Sequence, residues 1–209
     1  MSYGTLTVIA GPMFAGKTSA ILQRILWARA GLGRTVLVYK PAFDVRYSET
    51  QIVSHDGLKV DAESVAYLPD PAWMAESGTL VENTLVVLDE VQFFTFPDEI
   101  PADDPATGMR FYNGMPSTWV RTLLAAGHDV IGAGLDMDWR GMPFGVTARL
   151  AAMADEVVKL HANCTVCGRP ARKTYKISQE GGSVSLGHSD AYEARCNDHW
   201  HGPQGPEHG

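Results

Sequence analysis

The chain has 209 residues, 45% hydrophobic and 20% charged, which suits one globular domain with room for a small appendage. A formal net charge of -7 argues against a duplex nucleic-acid binder, which needs clustered positive charge to neutralise phosphates. No apolar run approaches bilayer length, and three cysteines, two of them spaced C-x-x-C, do not make a disulfide framework, so a reducing cytoplasmic setting is expected.

The opening MSYGTLTVIAG lacks a basic stretch and reads as a buried strand rather than a targeting peptide. Its TLTVIA run (5–10) is apolar and β-rich, and a glycine loop, GPMFAGKT (11–18), follows. SAILQRILWARAGLG reads as a helix, with Ile21, Leu22, Ile25 and Leu26 at helical spacing and Gly31 and Gly33 ending it. TVLVYKP (35–41) is a second strand, so the first forty residues predict a βαβ unit. Residues 42–64 are polar and mixed and read as loop with little regular structure. PAWMAES (71–77) suggests a short helix and TLVVLDE (84–90) a third strand ending in two acids. Residues 95–116, rich in proline and acid, read as a surface insertion. STWVRTLLAAG (117–127) is helical, VIGAGLD (130–136) is a fourth strand, and LAAMADEVVKL (150–160) is a helix running into a strand. This alternation predicts an α/β fold with a mainly parallel sheet. The expected division is a nucleotide-binding domain over 1–160, a small module over 161–200 and a disordered tail over 201–209.

Gly11, Gly16, Lys17 and Thr18 fit G-x-x-x-x-G-K-[ST], placed as that motif requires between a strand and a helix. The glycines let backbone N–H groups face phosphate oxygens, and the helix adds the positive end of its dipole. Lys17 can reach the terminal phosphates of a nucleoside triphosphate, and Thr18 can ligate Mg²⁺. Asp89, at the end of an apolar strand, can hold Mg²⁺ directly or through water. Glu90 can polarise water in a hydrolase or take a proton from an acceptor hydroxyl in a kinase, so the acidic pair alone leaves both reactions open.

Cys164 and Cys167 in NCTVCGRP, with Cys196 and His199 in RCNDHW, form two knuckles with the ligand set of a tetrahedral Zn²⁺. A closed four-ligand set has no position for water and reads as structural. The span between the knuckles is too small and polar to build a core, but pinned at both ends it would work as a lid, with Tyr192 just before the second knuckle.

Taken together, these segments resemble the type II thymidine kinases, the small cytosolic and bacterial enzymes. GPMFAGKT looks like that family's phosphate loop, with the same Pro-Met-Phe insert, and DVRY (44–47) resembles its D-x-R-Y segment. DEVQFF (89–94) is similar to its DE-x-QFF, and LDMDWRGMPFG (135–145) to its L-D-x-x-F-x-x-x-P-F-G; the C-x-x-C, G-x-x-x-x-Y and C-x-x-[CH] elements follow in the family's order. The resemblance covers roughly residues 4–199 apart from the insertion. It implies a RecA-like α/β domain with a zinc-held lasso, and Mg²⁺-dependent transfer of the ATP γ-phosphate to the 5′-hydroxyl of thymidine or deoxyuridine. It makes Glu90 the general base, with Lys17 and Arg46 stabilising charge. The loop from Gly11 through Pro12, Met13, Phe14, Ala15, Gly16 and Lys17 to Thr18, together with Asp89, would hold ATP and Mg²⁺. Asp44 would lie by the sugar, while Met13, Leu135, Trp139, Phe144 and Tyr192 line the base pocket and backbone near Gly187 reads the base edge. Phe14 would pack the loop in place. The resemblance also implies a cytoplasmic homotetramer inhibited by thymidine triphosphate, with no membrane or nucleic-acid partner.

Two positions depart from the family pattern: Trp139 stands where phenylalanine is usual, and Lys176 where many members have arginine, which binds phosphate bidentately. The competing reading is a P-loop ATPase whose zinc knuckle grips nucleic acid or a protein partner. The acidic total and the missing basic tract weigh against it. A nucleotide sensor without catalysis is disfavoured by the presence of both Asp89 and Glu90.

Overall fold

The computed structural model describes residues 2–42, 50–53, 57–94, 100–177 and 191–201. The first apolar run forms strand β1 (Leu6–Ala10), covered on both faces as its unbroken hydrophobicity requires. Gly16, in the left-handed region at φ 77°, leads into helix α1 (Lys17–Leu26). Ile21, Leu22 and Ile25 on that helix are fully buried, each stabilising the fold by roughly 1.5–3 kcal/mol as it leaves water. The helix loosens into a π-helical turn over Trp27–Gly31 before strand β2 (Val36–Pro41) completes the βαβ unit.

The polar stretch expected to be loop carries three short strands. β3 (Gln51–Val53) and β4 (Lys59–Asp61) pair antiparallel, and β5 (Glu63–Val65) runs parallel to β2 at the edge of the main sheet. Each buries a single apolar residue (Ile52, Val60 and Val65), too few for an alternating pattern to show in the sequence. Helix α2 (Pro71–Glu76) starts where expected: the Asp70 carboxylate accepts the N–H groups of Ala72 and Trp73 at 2.9 and 3.0 Å, and proline occupies the first turn. Strand β6 (Leu85–Leu88) is wholly buried and passes through Asp89 and Glu90 into a 3₁₀ turn, Val91–Phe93.

The described part of the expected insertion is anchored to the domain. Pro69 bridges Phe111, Asp103 bridges Arg110, and the Arg110 guanidinium pairs with Glu76 of α2. Its turn is held by Asp104, which accepts from the Ala106 N–H and the Thr107 hydroxyl. Helix α3 (Pro116–Ala125) follows, and its fully buried Trp119 donates its indole N–H to the Pro69 carbonyl at 2.7 Å. Strand β7 (Asp129–Gly134) leads to helix α4 (Gly145–Met153), which begins five residues before the expected start at Leu150 because Gly145, Val146 and Thr147 are weak helix formers that hide the first turn. Strand β8 (Glu156–Lys159) closes the sheet.

The six strands run in the order β5-β2-β6-β7-β1-β8, and every pairing is parallel. Strand β7 therefore lies between β1 and β6. Alternate residues face opposite layers: Leu6, Val8, Val86 and Leu88 pack with Trp119 and Leu123, while Ile9, Leu85 and Val87 pack against Ile21, Leu22 and Ile25 of α1. The carboxyl ends of β1, β6 and β7 thus deliver the glycine loop, the acidic pair and the 135–144 segment to one edge, where parallel sheets place ligands.

Beyond β8 the chain forms two antiparallel ribbons, β9 (Ala162–Asn163) with β10 (Pro170–Ala171), and β11 (Lys173–Lys176) with β12 (Tyr192–Arg195). Among the described residues their shared core is Ala162, Cys164, Ala171, Ala194 and Cys196, with Ala15 of the glycine loop packed against it. No helix among the described residues is long and apolar enough to cross a membrane.

Candidate active site

The glycine loop is shaped by close approach and by left-handed backbone. A Cβ at Gly11 would lie 2.7 Å from the Leu160 carbonyl oxygen, so only glycine passes β8 here. Phe14 adopts φ 64°, uncommon for a residue with a side chain, and is 41% exposed. Lys17 Nζ donates to the Pro12 carbonyl at 2.8 Å, arching back over the loop. Thr18 stands half-buried in the first turn of α1, and the Met13 N–H donates to Thr174 Oγ1 on β11 at 3.1 Å.

At the end of β6 the Asp89 carboxylate is 7% exposed and accepts the Glu90 N–H at 3.0 Å. Glu90 itself is left-handed, φ 52° and ψ 47°, a conformation that costs a non-glycine residue and recurs at functional turns. Its carboxylate Oε2 accepts from Gln92 Nε2 at 2.5 Å. Gln92 Oε1 accepts in turn from the Leu135 N–H at 2.9 Å, so the acidic pair and the end of β7 are tied together.

The 135–144 segment is a self-braced turn. Met137 bridges Pro143, the Phe144 N–H donates to the Asp136 carbonyl at 3.0 Å, and Asp138 Oδ1 accepts from the N–H groups of Arg140 and Met142. Phe144 meets Phe93 edge-on at 6.4 Å between ring centroids. Trp139 lies under Lys176, whose Nζ is 5.5 Å from the ring centroid, and its buried indole nitrogen has no hydrogen-bond partner among the described residues. Lys176 pairs across the ribbon with Tyr192, and both are buried. Trp139 and Lys176, both singled out in the sequence, therefore lie against each other. Asp44, Arg46 and Gly187 lie outside the described residues.

The thiol sulfurs of Cys164, Cys167 and Cys196 and the imidazole of His199 come together, all four ligand atoms within 4.8 Å of one another. Individual separations are 3.8 Å for Cys167 Sγ to Cys196 Sγ, 3.7 Å for Cys164 Sγ to His199 Nδ1 and 3.3 Å for Cys196 Sγ to the same nitrogen. Zinc–sulfur bonds of about 2.3 Å in a tetrahedron give edges of about 3.8 Å, so the cluster fits zinc in size and donor chemistry. Burial opposes ionisation of the Cys164 thiol, but backbone N–H groups of Cys196, Val166 and Cys167 and the His199 side chain outweigh it and bring the thiol down to about 5. Arg169 donates to Cys167 Sγ at 3.4 Å and holds that thiol below its ordinary range, while it also pairs with Asp198. Metal-ligating thiols must be thiolates, and such an outer partner balances their charge.

With this geometry in place, comparison with known proteins is decisive. The sequence model of the thymidine kinase family matches residues 4–103 and 109–200. The chain belongs to the thymidine kinase family. It is similar to the thymidine kinase of Pyrobaculum aerophilum, 36% identical over 202 residues that cover 93% of this chain and 97% of that one. The thymidine kinase of Coprothermobacter proteolyticus is 38% identical over 202 residues (94% and 90%), and that of Thermococcus kodakarensis 35% over 206 (94% and 93%). The family match leaves out residues 104–108, the turn braced by Asp104.

Sequence reasoning assigned no role to four contact residues. Gln92 was visible in QFF, but its partners lie on both sides of it in the fold. Thr174 holds the glycine loop, while Lys173 and Trp200 brace the 135–144 turn: Lys173 Nζ reaches Met137 Sδ at 3.5 Å, and a Cβ on Gly141 would lie 2.9 Å from the Trp200 ring. Their only signal was proximity to the cysteine knuckles.

Proposed function

We propose that the protein is a thymidine kinase that transfers the γ-phosphate of ATP to the 5′-hydroxyl of thymidine or deoxyuridine, with Glu90 as general base. The observation that carries this reading is the convergence, at one sheet edge, of a phosphate loop, an acidic pair and an aromatic turn in a chain of this family. The backbone N–H groups of the loop and the start of α1 suit the donor phosphates, and Lys17 would exchange the Pro12 carbonyl for a terminal phosphate oxygen. Thr18 and Asp89 would hold Mg²⁺, which supplies charge neutralisation across the β- and γ-phosphates when bound. Glu90, bonded to Gln92, would accept the hydroxyl proton as the acceptor oxygen begins to bond to phosphorus. Met13, Leu135, Trp139, Phe144 and Tyr192 would enclose the flat pyrimidine, with Asp44, Arg46 and the backbone at Gly187 completing the acceptor side. Cys164, Cys167, Cys196 and His199 would hold a structural zinc that fixes both ends of the 167–196 span as a lid. The division at 160/161, the tail over 201–209, a cytoplasmic homotetramer and inhibition by thymidine triphosphate belong to the same reading.

Labelled ATP offered with a panel of nucleosides tests it. Transfer to thymidine and deoxyuridine, cut to a small residual rate in a folded Glu90→Gln variant, is expected. Hydrolysis stimulated by polynucleotide and indifferent to thymidine would favour the ATPase reading, and a Glu90→Gln variant as active as the wild type would remove the general base.

A further inference from the structure

We infer that Gln92 is a positioning residue, fixing the Glu90 carboxylate and yoking it to the end of β7; the inference rests on Glu90 acting as the base. Gln92 is 3% exposed, and both ends of its amide are used. Nε2 donates to Glu90 Oε2 at 2.5 Å, and Oε1 accepts from the Leu135 N–H at 2.9 Å. The orientation of the amide follows from its partners. The Leu135 N–H can only donate, so the carbonyl end must face it, which turns the NH₂ onto the carboxylate. A buried amide is tolerated only when satisfied in this way. With both ends occupied inside the protein, Gln92 is placed to act through Glu90 rather than on substrate.

The neighbouring backbone leaves room for the bridge. A Cβ at Gly134 would collide with Gln92 Oε1 and lie 2.8 Å from Val91 Cγ2, so the glycine that ends β7 is what lets the amide cross. Leu135 is held from its other side as well, since its carbonyl accepts the Thr147 hydroxyl at 2.8 Å. The 135–144 turn, which carries the base-pocket residues, and the reacting carboxylate are therefore joined through one amide. Glu90 has a left-handed backbone between a strand end and a short turn, and the Gln92 amide holds its carboxylate from the turn side. A shift of the pocket turn would reach Glu90 directly, so nucleoside seating and base alignment are coupled.

The test uses the zinc-loaded full chain and the variants Gln92→Met, which keeps volume but loses both bonds, and Gln92→Glu. The latter is isosteric and keeps the acceptor towards Leu135, but sets a carboxyl against Glu90. Each is expected to lower kcat on the order of 10–100-fold, as loss of reactive alignment does, with KM for ATP within about twofold. Combined with Glu90→Gln, either variant should cost nothing further, because the group it positions is gone. Losses that multiply in the double variant, an unchanged kcat in both single variants, or parallel losses in kcat, ATP KM and melting temperature would overturn the positioning role. Full activity in Glu90→Gln alone identifies instead a failure of the base assignment, and the positioning role falls with it.

Discussion

Replacing Thr174 by valine removes one oxygen and nearly preserves shape. In the wild type that oxygen accepts the Met13 N–H at 3.1 Å, and Thr174 is 5% exposed, in the buried row of β11 opposite Ala194. In Thr174→Val the loop N–H faces a methyl group. A donor left without its acceptor in a partly buried place costs about 1–3 kcal/mol, whereas the net worth of an ordinary hydrogen bond is only about 1. If the loop escapes the penalty by moving away, that energy is drawn from the arrangement that holds phosphate, and ATP affinity should fall roughly 5- to 150-fold. Calorimetric titration of ATP without nucleoside reads this directly. Steady-state KM values for ATP and thymidine, zinc content and melting temperature accompany it, and Thr174→Ser, which keeps the hydroxyl, should stay close to wild type. A Thr174→Val protein that binds ATP within about twofold of wild type and melts at the same temperature would show that the bond does not shape the loop.

Trimming Met13 to alanine should weaken nucleoside binding far more than ATP binding, measured as separate dissociation constants; equal losses would mean that the methionine only packs. Stripping the metal with a chelator should make residues 161–200 protease-sensitive and abolish phosphate transfer, because five small side chains cannot hold that module alone, and readdition of zinc should restore both; a metal-free chain that stays resistant would refute the zinc site. Burial, with Arg34 nearby, holds the His128 imidazole below its ordinary range against the pull of Asp129, and its Nδ1 has no hydrogen-bond partner among the described residues. The unfolded chain therefore binds the proton more readily than the native one, so stability should fall as pH drops below about 6.5, and His128→Gln should flatten that slope in melting curves.

The chemistry-bearing residues were legible where they are local. Gly11 to Thr18, Asp89 with Glu90 and the two knuckles stand out as candidates because their spacing is local, and the fold brings the four knuckle side chains together. Residues whose roles depend on distant partners were not legible. Gln92 sits in a quoted motif, yet its meaning lies in a backbone N–H 43 positions away, and Thr174 meets Met13 across 161. Strands β3 to β5 escaped notice because three residues with one apolar side chain carry no period, and the start of α4 was masked by glycine and β-branched residues. The 95–116 stretch reads as a surface insertion from its prolines and acids. Its attachment runs through Arg110, Phe111 and Tyr112 to residues 68–76, pairings that composition does not encode.

The contact between the glycine loop and the cysteine-bearing ribbons bears on how separable the parts of this enzyme are. The boundary suggested by composition, after Leu160, falls on a residue whose N–H donates to the Ala10 carbonyl at 2.8 Å and whose own carbonyl crowds Gly11. Just beyond it, Ala15 fills the ribbons' core and Met13 takes a partner from β11. A fragment ending at 160 would lose the contacts that Met13 and Ala15 of the glycine loop make with the ribbons. The same contacts constrain transplantation: a cysteine module taken from a relative would have to bring a matching glycine loop, so the two are exchangeable only as a set.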